Sequence, residues 1–411
     1  MKPHAEYILH IGTVKVICLK VITMPEGIKK IAAFGTCRAE GFERGAVKDL
    51  GKAAETLKEV FRVVMEGDKE TMIQARVVVS PPHLKNFIFA SSIYFYGNPH
   101  ALALRDVREV IAQTRSVATI PLNEMIIQAV PQEFLVNDLT GINNPIGLEA
   151  TRLGVTLRLF TMDYTVYNNL LRVLERADVD ALELIPEALV SSHAVLTPEE
   201  KDEGVVLVDV GGYSTRFECY KNSILAKSQT IPCGSEMITE VLANNLNLKM
   251  DHARRLKETF GSTQAKPQFS EELIPVQDRD EKESQQHIAR KRFDEEIQPA
   301  IRELMGHLSD TIRQFATEVS PISKVVFTGG GCKLDGFLDA MQDSIPHNLR
   351  LGLPRNFANL PVTLMDAVYS DVVGAINYSN LLKDPQAYSS PVQNFFSRTV
   401  NSAKKWVAEY F

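Results

Sequence analysis

A chain of 411 residues is long enough for two or more domains with buried cores, and its 45% hydrophobic and 23% charged residues exclude wholesale disorder. A net charge of −6 excludes a body built to bind nucleic acid, since phosphate backbones need clustered basic surface. Five cysteines (Cys18, Cys37, Cys219, Cys233, Cys332) form no CxxC pair and read as reduced thiols of a cytosolic protein.

The chain opens with Tyr7-Ile8-Leu9-His10-Ile11-Gly12-Thr13-Val14-Lys15, an apolar run that ends in a glycine turn. His10 and Lys15 interrupt it, so it does not read as a secretory leader, and no stretch has the length and apolarity to cross a bilayer. Residues 1–84 read β-β-helix-β, with a turn at Pro25-Glu26-Gly27, a helix over about 48–64 and a strand at 75–80. Residues 85–160 read as a compact α+β insert: a strand at 87–90, a helix over 104–115, and strands at 125–130 and 155–160. A helix over 165–177 and a short apolar stretch at 182–192 follow. Thr197-Pro198-Glu199-Glu200 is a capping box with proline in the first turn, which starts a short helix.

Val205-Val206-Leu207-Val208-Asp209-Val210-Gly211-Gly212, continuing into Tyr213-Ser214-Thr215, repeats the opening pattern of apolar strand and glycine turn. After Gly234 a helix begins, and another covers about 252–260. Residues 262–290 are polar and charge-rich and read as a solvated loop or helix face. A long amphipathic helix over 288–318 leads to the third glycine strand, Val325-Val326-Phe327-Thr328-Gly329-Gly330-Gly331, and a last helix covers 366–378. Such turns aim consecutive N–H groups outward and make a concave site for phosphate oxygens. Three in one chain point to a nucleotide cleft between two lobes, and the echo of residues 7–24 at 205–226 is what a duplicated fold leaves.

Residues 382–389 read as a linker, and Ser390-Pro391-Val392-Gln393 is a second capping box. From there Phe395, Phe396, Val400, Trp406, Val407, Tyr410 and Phe411 follow helical spacing within an apolar arc of about 160°. Three fates fit this helix: docking on its own body, a partner's groove, or a membrane interface. The interface reading is favoured by the terminal aromatics and by Arg398, Lys404 and Lys405, which suit anionic lipid.

The order of the three turns resembles the two phosphate motifs and the adenosine motif of the actin-like superfamily, and Lys257 with Gly261 resembles the helix whose lysine lies over the nucleoside. Within that superfamily the chain is similar, over nearly its whole length, to the bacterial cell-division FtsA family. The resemblance is carried by Val130-Pro131-Gln132-Glu133-Phe134 with Asn144-Pro145-Ile146-Gly147-Leu148 in the insert, by residues 191–197, by residues 366–374 and by the amphipathic tail.

The resemblance implies an α/β actin-like two-lobed fold with duplicated ribonuclease-H-like cores. Lobe 1 would take residues 1–84 and 161–196, the insert 85–160, lobe 2 residues 197–381 with a subdomain at about 232–320, and a membrane helix 390–411. It implies ATP or ADP held by Gly12, Thr13, Lys15, Asp209, Gly211, Gly212, Ser214, Thr215, Gly234, Lys257, Gly329 and Gly330, with Asp209 toward any Mg2+. It also implies filaments on the cytoplasmic face of the cell membrane at the septum, contact with other division proteins, and tethering of the tubulin-like FtsZ. The FtsZ C-terminal peptide would meet the lobe bearing Arg290, Lys291 and Arg292, although Ala300 stands where the family commonly has arginine.

Two acids of the family's pattern are replaced, by His10 before the first turn and by Arg216 after the second, and Tyr213 replaces a glycine. Neutral histidine is a poor ligand for Mg2+. Arg216 either contacts phosphate as a cation or points away, and Tyr213 is placed to fill part of the pocket. No catalytic residue is assigned, and the chain is expected to be at most a weak ATPase. Two other readings, an actin-like-fold kinase or ATPase and a pilus-assembly (PilM-like) scaffold, lack a use for the tail helix.

Overall fold

The computed structural model describes residues 4–24, 27–65, 73–80, 84–264, 271–276, 287–355, 357 and 359–378. The linker and amphipathic helix expected over 382–411 lie outside the described residues. The chain forms two compact units. The first gathers the chain up to Lys85, residues 123–128, and Phe160–Tyr378; the second gathers Asn86–Leu122 and Ala129–Leu159.

The first unit holds two five-stranded sheets with one connectivity. In the first sheet, His4–Ile11 pairs antiparallel with Lys15–Thr23, which pairs antiparallel with Lys29–Arg38. On its other side lie Ile73–Val79 and then Val179–Pro186, both parallel. The second sheet repeats this with Val205–Val210, Thr215–Lys221 and Ile224–Ile231 on the antiparallel side, and with Lys324–Thr328 and Asn348–Leu351 on the parallel side. If each half's strands are numbered from its own start, both sheets read 3-2-1-4-5. The first half has one more strand before its helix than the sequence pattern suggested. Lys29–Arg38, an edge strand of alternating exposure, is the strand expected after the turn at 25–27, and the opening hairpin supplies the other two.

Apolar periodicity explains the packing. Val205–Val210 is buried at every residue because it is central and covered on both faces. The helix Arg290–Glu318 sends Phe293, Ile297, Ile301, Leu304, Leu308, Ile312 and Phe315 into the core below it, together with Val206, Val208, Phe217 and Phe327. The first sheet is covered in the same way by Leu50–Val64, capped by Asp49, and by Tyr164–Arg176. The capping box at Thr197 forms: its hydroxyl accepts from the Glu200 N–H at 3.3 Å, and the Glu200 carboxylate accepts from the Thr197 N–H at 3.1 Å. The polar stretch before the long helix is not all loop, because Leu273–Pro275 and His287–Ala289 pair antiparallel with Ile274 and Ile288 buried.

The second unit centres on a four-stranded sheet in the order Leu139–Ile142, Glu124–Val136, Arg152–Asp163, Lys85–Tyr94, with the helix Leu104–Val117 burying Leu104, Val107, Val110 and Ile111. Residues 123–128 belong with the first unit. There Gln128 donates to the Glu183 carboxylate at 2.6 Å and to the Leu184 carbonyl at 3.1 Å, and Ile127 packs on the first core.

Two short helices of the first unit, Ser191–Val195 and Ser370–Asn377, cross at Gly374. A Cβ there would lie 1.9 Å from the Val190 carbonyl oxygen, so only glycine permits the approach. Gly374→Val should therefore cost about 1–3 kcal/mol from overpacking. Urea unfolding followed by circular dichroism checks this; an unchanged midpoint would mean that the helices separate freely.

Candidate functional site

Each half places a glycine turn at the end of its central hairpin. The Gly12 N–H donates to the Lys15 carbonyl at 3.0 Å, and the Gly211 N–H donates to the Ser214 carbonyl, also at 3.0 Å. The hairpins superpose in register: His10 precedes its turn as Asp209 precedes the other, and Ile17 follows as Arg216 follows. The tips meet, since a Cβ on Gly212 would lie 2.4 Å from the Val14 side chain. The third turn enters beside them. Gly329 has φ +87°, and a Cβ there would lie 2.3 Å from the Asp209 carboxylate, so this turn needs glycine on both counts.

Together the turns line a cavity of about 400 Å3, an ordinary size for a small-molecule site. Gly12, Thr13, Lys15, Asp209, Gly211, Gly212, Ser214, Lys257, Gly329 and Gly330 all face it. Thr215 and Gly234 stand behind the wall. The Thr215 hydroxyl donates to the Cys233 carbonyl at 2.7 Å, and the residues after Gly234 donate to the Gly211 and Gly212 carbonyls at 3.0 and 2.8 Å. Tyr213 does not fill the pocket; its ring lies under the Arg44 guanidinium, 5.4 Å away. Lys257 is buried and donates to Glu236 at 3.0 Å and to the Ser235 carbonyl at 3.1 Å, while Arg254 holds the same carboxylate at 2.6 Å.

At the floor sits Arg216, buried and opposite Asp209 across the hairpin. Its guanidinium donates to Asp209 at 2.6 Å, to Asp371 at 2.8 Å and to Glu187, with Glu218 at 3.4 Å. His10 lies beside them, its Nε2 3.7 Å from Glu187 and 3.8 Å from Asp371. Among the described residues neither ring nitrogen of His10 has a hydrogen-bond partner, and the ring lines the cavity.

Electrostatics follow from this crowding. Burial opposes the charge on Glu187, but Arg216 and His10 outweigh it and hold its carboxyl down at about 2. Burial pushes Glu218 up to about 8 and Asp371 up to about 7, with neighbouring carboxylates adding to the rise against the pull of Arg216. Burial alone would lower His10; Glu187 and Asp371 reverse this and raise it above its ordinary value.

The glycine cradle fits nucleotide phosphates. A divalent ion fits poorly: the oxygens of Asp209, Glu187 and Asp371 that would hold it already accept from a guanidinium among them.

The basic cluster expected at 290–292 shrinks to two. Arg290 is buried and spent internally, donating to the Asp294 carboxylate at 3.0 Å and the Phe260 carbonyl at 2.6 Å. Lys291 and Arg292 remain exposed, and Ala300 faces the core.

Two family descriptions match this chain: "Cell division protein FtsA" over residues 206–378 and "SHS2 domain inserted in FTSA" over residues 91–161. The chain belongs to the FtsA family. The FtsA of Buchnera aphidicola is 27% identical over 90% of this chain and 89% of its own length, and that of Escherichia coli K12 is 25% identical over 90% and 89%. Among solved structures, a PilM–PilN type IV pilus biogenesis complex matches at a TM-score of 0.62, with 17% identity over 90% of this chain and 96% of the other. The ADP-bound MreB5 of Spiroplasma citri matches at 0.52, with 10% identity over 93% and 98%. These likenesses establish an actin-like fold for this FtsA-family chain.

Sequence reasoning missed Glu187, Glu218, Glu236 and Asp371. Glu187 carries a signal, an isolated acid in the apolar run Ile185–Val190.

The raised carboxyls give a signed pH dependence. The folded chain holds a proton on Glu218 that the unfolded chain releases near the ordinary glutamate value, so its stability falls as pH rises toward about 8. Glu218→Gln, neutral throughout, should lose on the order of 3–4 kcal/mol less than the parent between about pH 5 and 8. Chemical denaturation across that range checks this; parallel curves would sink it.

Proposed function

We propose that this chain is a division scaffold that binds ATP or ADP between its lobes with slow or absent hydrolysis, polymerises, and tethers FtsZ to the cytoplasmic face of the membrane at the septum. The carrying observation is the single cavity ringed by three glycine turns, whose floor acids are bound to Arg216. The nucleotide would be cradled by Gly12, Thr13, Gly211, Gly212 and Ser214 at its phosphates, with Lys257 and Gly329–Gly330 toward the nucleoside. The ADP-bound MreB5, similar in fold, supports a nucleotide as the occupant. Hydrolysis needs a metal to neutralise phosphate charge and a group to orient water, and acids engaged by a guanidinium are poorly available for either.

Membrane contact rests on the apolar arc of residues 390–411 with Arg398, Lys404 and Lys405. FtsZ contact rests on family membership together with exposed Lys291 and Arg292. The pilus-scaffold reading is supported by fold alone, and the family match favours division.

Equilibrium binding and phosphate release on the full chain test the cleft. Saturable ATP binding with no release above the blank is expected; sustained multiple turnover would overturn the slow-hydrolysis reading. Flotation with anionic liposomes tests the tether. The full chain should float and carry FtsZ with it, while a chain ending at residue 389 should stay at the bottom. If the shortened chain floats equally well, the tether lies elsewhere.

A further inference from the structure

We propose that Arg216 is the resident cation of the cleft, standing where a divalent metal ion would sit, so that nucleotide binding by this chain is independent of Mg2+. The inference rests on the reading of the cleft as a nucleotide site and adds what neutralises the phosphates there.

Three observations converge. First, the guanidinium is held among Asp209, Asp371, Glu187 and Glu218, at 2.6 Å and 2.8 Å from the first two. It thereby gathers carboxylates from both lobes, the task a hard dication performs with oxygen ligands. Second, His10, Glu187 and Asp371 offer atoms within 4.8 Å of one another, spacing a metal ion could bridge. The Glu187 and Asp371 carboxylates of that trio are hydrogen-bonded to Arg216, so an entering dication would meet a fixed positive charge across shared ligands. Third, the buried His10 ring faces the cavity with both nitrogens lacking a hydrogen-bond partner among the described residues. Phosphate oxygen is the acceptor that an imidazole N–H facing the cavity lacks here.

Phosphate oxygens would therefore be met by turn N–H groups from the sides and by the His10 ring from the floor, while Arg216 cancels the charge of the acids that would otherwise repel them. A guanidinium is always charged and does not exchange with solvent as an ion does. The positive charge is then a permanent part of the wall.

The test uses the full chain and three arms. In the first, ATP and ADP affinities are measured by calorimetry with excess Mg2+ and with excess EDTA. The two dissociation constants should agree within about threefold, and a loss beyond about tenfold in EDTA would overturn the proposal. In the second, Mn2+ alone is titrated into the nucleotide-free chain and followed by electron paramagnetic resonance. No saturable site should appear; one that Asp371→Asn removes would overturn it. In the third, Arg216→Asp should acquire a melting temperature that rises by several degrees with Mg2+, while the parent does not respond. A parent melt that rises as much as the variant's counts against the proposal. Should the variant fail to fold, the first two arms decide on the parent chain. If neither nucleotide binds in either buffer, the cleft reading fails and the Mn2+ titration alone decides the occupant of the acid cluster.

Discussion

One buried guanidinium holds this molecule's two halves to a common arrangement. Arg216 is buried apart from the side it shows to the cavity, and the acids around it would be untenable without a cation. Glu187 comes from the end of the first sheet, Asp209 and Glu218 from the second, and Asp371 from the helix that returns the chain between them. Removing a partner from such a group leaves an uncompensated charge, a loss of about 3–5 kcal/mol in comparable buried pairs. The cluster is thus a geometric specification as much as a source of stability.

The duplication makes this specification easier to see. The halves share strand order, hairpin register and even the hydrogen bond that closes each turn. They differ at the two positions flanking the turns, where one carries His10 and Ile17 and the other Asp209 and Arg216. Backbone geometry has been kept twice, while the side chains that meet the phosphate region have diverged. A cavity ringed by glycine turns follows from the first fact, and its unusual charge pattern from the second.

The fold was legible because it is written in periodicity. Buried strands such as Val205–Val210 and the three-four spacing of Arg290–Glu318 leave few alternatives. Two glycine turns and the third beside them were readable for the same reason. The charge network was not, because its members lie far apart in sequence: Arg216 and Asp371 are separated by 155 positions. Arg290 shows the opposite failure. Its position in a basic run suggested surface, but only the local packing of Asp294 and the Phe260 carbonyl decides which member of such a run turns inward.

Asp371 and Gly374 occupy one short helix, less than a turn apart. One reaches the guanidinium, and the other is pressed against the Val190 carbonyl where the two linking helices cross. The helix is therefore pinned twice, in its first turn by the guanidinium and at its middle by the crossing. The first of these anchors is an arginine of the chain itself, so one short helix ties the charge network of the cleft to the packing of the two linking helices.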